Sequence, residues 1–191
     1  MDDREVVHMS LRARYTNPES GNRTTLSFRL LAALLASSIA LAANMALLSI
    51  AGAAGITTGQ GGLLRLFATI IPRLAGSLRL IDGLSNLPLP SQATFHIVTG
   101  LAMGLAYALM IEPSLPGRPF SKGLVYGTVV WCFNAFLVLL LIGEGIAGSR
   151  NVNTVGLIVF AVAHMTFFLA LSMLYEVLRR VGDTKCTGAR F

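Results

Sequence analysis

The sequence predicts an all-α membrane protein: four transmembrane helices in a bundle, plus one interfacial amphipathic helix. Three observations carry this reading. Of 191 residues, 54% are hydrophobic and only 13% charged, with a mean hydropathy of +0.68, whereas soluble domains carry about a quarter charged residues. The apolar residues gather in runs close to the roughly 20 needed to cross a hydrocarbon core. The basic residues behind the net charge of +6 stand beside those runs, so membrane, and not nucleic acid, is the partner they predict.

The elements follow in order. Residues 1–27 are polar, with turn signals at Asn17-Pro18 and Ser20-Gly21-Asn22, and read as a cytoplasmic arm. Asp2, Asp3 and Glu5 in so long a polar lead-in argue against a cleaved signal sequence. The membrane domain is expected over 28–178. Its first span, about 30–54, is rich in Ala, Ser and Gly, which let helix backbones approach closely in lipid. After the linker GITTGQGG, residues 63–83 place Leu63, Leu66, Phe67, Ile70, Ile71, Leu74, Leu78 and Ile81 at helical spacing, interrupted by Arg65, Arg73 and Arg79. A centred Arg costs about 3 kcal/mol even on insertion scales, which predicts a helix in the interface, broken near Pro72. Docking of this helix to a partner is the alternative.

The second span, about 91–111, contains Gly100 and Gly104 as a GxxxG motif, a close-packing face. A turn with Pro113, Pro116, Gly117 and Pro119 leads to the third span, about 122–143, where Gly127 is a further packing position. Residues 143–153 form a loop, 154–177 the fourth span, and 179–191 a polar cytoplasmic tail. With four spans, both termini and the 112–122 turn share one side and hold eleven Arg and Lys, against four on the other. The positive-inside rule then places both termini in the cytoplasm. Cys132 and Cys186 are too few for a disulfide framework and lie in no metal-binding spacing.

Polar residues inside spans are costly and often functional. Counted from the cytoplasmic boundaries at 1.5 Å per residue, Asn44, His96, Asn134 and His164 fall within roughly 5 Å of one depth. Each comes from a different span, which defines a candidate intramembrane polar layer. The stretches HIVTGLAMGLAY from His96 and HMTFFLALSMLY from His164 share His, Leu, a small residue and Tyr at matching positions. They resemble a parallel repeat of two helical hairpins. Three roles compete for the histidines: neutral side chains bonded to neighbouring helices, a bis-His haem b or other metal site through His96 and His164, or the lining of a small solute cavity. The first leads. No metal and no cofactor is predicted, with haem b kept as the alternative. Catalysis has no support, since the chain has no Gly-rich phosphate loop, HExxH or GxSxG.

His96, Gly100, Gly104 and Tyr107, then Leu115-Pro116-Gly117, then Lys122, Gly123, Gly127 and Trp131, and finally His164 and Tyr175, form one pattern. It resembles a family of small bacterial four-helix membrane proteins of unknown function. The resemblance covers about residues 30–177 and implies topology without activity. The fourth helix departs from it, carrying Phe168 and Ser172 where the family has glycines. The expected role is a structural or accessory subunit or scaffold, not an enzyme, meeting membrane lipids and other membrane subunits or its own copies. A small-solute permeation unit is the alternative.

Overall fold

The computed structural model describes residues 18–58, 62–67 and 89–188. The protein is an all-α membrane bundle, and no strand occurs among the described residues. We name the long helices α1 (Pro18–Ala53), α2 (Leu89–Ala106), α3 (Pro119–Cys132) and α4 (Thr154–Gly188). α2 continues through a π-helical segment, Tyr107–Ile111, and a last turn, Glu112–Ser114. α3 likewise continues through Phe133–Val138 and Leu139–Leu141. The four stretches long and apolar enough to cross a membrane are Leu26–Ala53, Ala93–Ser114, Pro119–Leu141 and Thr154–Gly182.

One local expectation needs correction. Ser20-Gly21-Asn22 is not a turn, because α1 begins at Pro18. Proline suits the first helical turn, and the long span behind it propagates the helix outward. The polar tail is helical as far as Gly188 for the same reason. The loop after α3 contains a 3-10 turn, Ile146–Gly148. Of the amphipathic helix expected over 63–83, residues 62–67 are helical and 68–83 lie outside the described residues, as do 1–17 of the expected arm and 189–191 of the tail.

Helix ends follow standard chemistry. At the end of α1, Gly55 donates to the Gly52 carbonyl and Ile56 to that of Ala51, both at 3.0 Å. After α3, Gly143 donates to Leu140 and Glu144 to Leu139. Both are Schellman closures, and they place glycine in the left-handed region, at φ 74° for Gly55 and 83° for Gly143. Asn153 caps α4, its Oδ1 accepting from Gly156 N at 2.8 Å.

α4 is the central partner, lying along both α1 and α3, while α2 packs on α1. α2 and α3 meet through side chains: Tyr126 donates to the Met103 carbonyl at 3.2 Å, and the Tyr107 and Tyr126 rings stack at 6.1 Å. These neighbours differ from a strict two-hairpin repeat, in which α2–α3 would match the long α1–α4 contact.

Small residues set the closest approaches. A Cβ on Gly104 would stand 2.8 Å from Ser37 Cβ and 3.2 Å from the Ala33 carbonyl, and one on Gly100 would stand 2.7 Å from Leu41. Ala33, Ser37 and Leu41 form an i, i+4, i+8 row on α1, so the GxxxG face of α2 lies in that groove. On the other side, a Cβ on Gly123 would meet the Phe168 carbonyl at 2.7 Å, and one on Gly127 would meet Phe168 Cβ at 3.0 Å. Phe168 and Ser172 are not glycines, yet α3 and α4 pack closely because Gly123 and Gly127 stand opposite them on α3. The core is completed by Tyr107 and Tyr175, 1% and 0% exposed, in edge-to-face contact at 5.6 Å.

Candidate functional site

The four intramembrane polar residues come together in two pairs that meet on α4. Asn44, on α1, donates its amide Nδ2 to the Ala163 carbonyl at 2.7 Å. Its Oδ1 is therefore the acceptor toward His96 Nε2 at 3.0 Å. His96 must then carry its proton on Nε2. On α4, His164 Nδ1 lies 3.0 Å from the Phe160 carbonyl, which can only accept, so the proton is on Nδ1. His164 Nε2 then faces the Asn134 amide nitrogen as an acceptor, at 3.5 Å. The two imidazoles are opposite tautomers, that of His96 set by Asn44 and that of His164 by the Phe160 carbonyl. Ala163 and His164 are consecutive, which brings both pairs to one level.

The pairs differ in completeness. Asn44 is 3% exposed and uses both ends of its amide between α2 and α4. Asn134 Oδ1 is buried without a hydrogen-bond partner, and so is Trp131 Nε1, one turn earlier on α3. One is an acceptor and the other a donor, three residues apart and therefore on the same helix face. Asn134 also stands at the π-helical segment of α3, a departure from α-geometry that is frequent at functional sites.

The histidines offer a metal little. Each Nε2 faces its own asparagine, so an iron bound between them would first displace both amides. Among the described residues, no group of three or more His, Cys, Asp or Glu could hold a metal ion.

No protein-family model, curated protein or solved structure matches this chain.

A second polar centre lies at the end of the bundle that holds the α2–α3 turn, and sequence reasoning counted Arg29 there only as a topological charge. Arg29, in the first turns of the α1 span, donates Nη2 to the Ala108 carbonyl at 2.8 Å and to Glu112 at 3.1 Å, and Nε to Tyr175 Oη at 3.3 Å. The backbone explains why Ala108 is available. Glu112 N–H turns to Tyr107 O in the π-segment, and the next residue, Pro113, has no N–H. The freed carbonyl is satisfied by Arg29, which thereby ties α1 to α2 and α4. Lys122 adds to the cluster, donating to the Glu112 carbonyl at 2.8 Å with its carboxylate at 3.7 Å. A signal was present in the sequence: the predicted topology puts Arg29, Glu112-Pro113 and Tyr175 at the same end.

At the opposite end, Glu144 is buried and held by the side chains of Arg65 and Asn151. Segment 62–67 carries Arg65 there, with Gly62 against Val138 and Leu139 and Phe67 edge-on to Phe95 at 5.9 Å. This segment therefore covers the Glu144 end of α2 and α3, near His96 and Asn134.

Proposed function

We propose that this chain is an accessory or scaffold subunit of a bacterial inner membrane, multi-pass, with both termini cytoplasmic and no catalysis of its own. The observation that carries the reading is Asn44. A buried amide that spends both ends on two other helices fixes the register of α1, α2 and α4. The glycine contacts close the remaining space between helices. The excess of basic residues on the side of the termini supports the orientation.

Purification of the native protein in mild detergent, followed by native mass spectrometry and an optical spectrum, tests this. The expected result is a stoichiometric protein partner or a defined homo-oligomer without a haem band. A monomer that conducts small solutes in proteoliposomes would overturn the reading. One observation favours that second reading, a small-solute permeation unit: the unpartnered Trp131 Nε1 and Asn134 Oδ1 at the level of the polar layer.

A further inference from the structure

Beside the Arg29 cluster, a cleft of about 260 Å³ opens where the second and fourth spans end and α3 begins. Arg118, Lys122, Arg179 and Arg180 line it, together with Glu112 and Glu176. Four cations face two carboxylates, and both carboxylates are already engaged. Glu112 is held by Arg29 and Lys122, and Glu176 by Arg179 at 3.1 Å and Arg180 at 2.7 Å. Two positive charges are left uncompensated in the lining. Arg118 is exposed, and its side chain has no ion-pair or hydrogen-bond partner among the described residues.

We propose that this cleft binds a phosphate group, presented by the head group of an anionic lipid. The guanidinium groups match phosphate geometry through paired N–H donors, and Lys122 adds a point charge. The volume lies below the roughly 300 Å³ at which pockets for drug-sized ligands begin, so it suits a head group and not a whole bulky ligand. The position supports a lipid source. The lining runs from Tyr107, inside the α2 span, to Gly117 and Arg118 in the turn beyond it, which is the depth at which a bilayer places its phosphates. The inference rests on the membrane-spanning fold and stands whether or not the chain is a scaffold.

The test uses the full chain in a neutral detergent and follows its thermal midpoint while phosphatidylglycerol, phosphatidylcholine or inorganic phosphate is added. Phosphatidylglycerol is expected to raise the midpoint by several degrees over phosphatidylcholine. Arg118→Gln should weaken the apparent affinity about tenfold while leaving the lipid-free midpoint unchanged, since it loses one charge-assisted contact and no internal partner. Arg180→Gln, also exposed, should act in the same direction. Arg150→Gln, at the opposite end, should have no effect and controls for net charge. A rise with inorganic phosphate equal to that with phosphatidylglycerol, abolished by Arg118→Gln, would support the phosphate site but overturn its lipid source. Equal responses to both lipids with none to phosphate, or an Arg118→Gln response identical to that of the native chain, would overturn the proposal.

Discussion

Replacing Gly104 by alanine should destabilise the bundle by about 1–3 kcal/mol, the range for overpacking a close contact. The added Cβ would stand 2.8 Å from Ser37 Cβ and closer still to Ser37 Oγ. Carbon pairs prefer about 3.5–4.0 Å. Turning the serine hydroxyl away cannot relieve the clash, because the serine Cβ moves only with the backbone. α1 and α2 must therefore part by about an ångström locally. The chain has one tryptophan, Trp131, so equilibrium unfolding in mixed micelles can be followed by its fluorescence. Ser37→Gly removes the opposing atoms. Combined with Gly104→Ala it should recover much of the loss, a coupling of about 0.5–3 kcal/mol for residues in contact. Gly52→Ala is the control: nothing lies within 4 Å of that Cβ, and the change should stabilise by about 0.5–1 kcal/mol. A Gly104→Ala protein within about 0.3 kcal/mol of the native chain, below the resolution of such additivity tests, would refute the close-contact argument.

Three further outcomes follow from the contacts. Asn44→Leu removes two interhelical hydrogen bonds and should cost about 1–3 kcal/mol, more than His96→Phe, which removes one; equal losses in the same titration would deny Asn44 its central place. Arg29→Gln should cost about 1–3 kcal/mol after allowance for its partial exposure, and Arg29→Lys most of that, because an ammonium cannot span Ala108, Glu112 and Tyr175 together; full stability of the lysine variant would contradict this. Asn153→Ala should cost about 1 kcal/mol and speed amide exchange in the first turn of α4, whereas unchanged exchange there would show that the cap contributes nothing.

Hydropathy alone made the four spans legible, because lipid demands long apolar helices and little else produces them. Depth counting placed Asn44, His96, Asn134 and His164 at one level, since rise per residue is fixed in a helix. What depth cannot supply is rotation. Nothing in the one-dimensional pattern told that Asn44 turns to both α2 and α4, or that α4 lies between α1 and α3. The α3–α4 contact illustrates the same limit. Judged on α4 alone, Phe168 and Ser172 read against close packing, whereas a contact depends on the sum of both faces, and Gly123 and Gly127 supply the missing room. Arg29 was hidden differently. Its acceptor is a carbonyl released by a π-segment and Pro113 together, and a π-segment has no reliable sequence signature.

The two asparagines of the polar layer offer the sharpest separation between a packed scaffold and a solute unit. Asn44 has both ends satisfied, so removing it leaves partners stranded. Asn134 has an unpartnered Oδ1 and a single long contact to His164. For a purely structural residue, an unsatisfied buried acceptor costs about 1–3 kcal/mol, and replacing it by an apolar group of similar shape is neutral or stabilising. Asn134→Leu should then leave stability unchanged or raise it by about 1 kcal/mol, because the gained apolar burial offsets the weak bond to His164. Trp131→Phe should behave similarly for the indole N–H, apart from a small packing loss, with stability followed by circular dichroism once the fluorophore is gone. A loss of about 2 kcal/mol or more in Asn134→Leu would mean that Oδ1 is bonded in the membrane to a water or a solute that Trp131 also contacts. That result would move the balance from scaffold to permeation unit, and solute flux through Asn134→Leu proteoliposomes, lower than through the native chain, would then be required to match it.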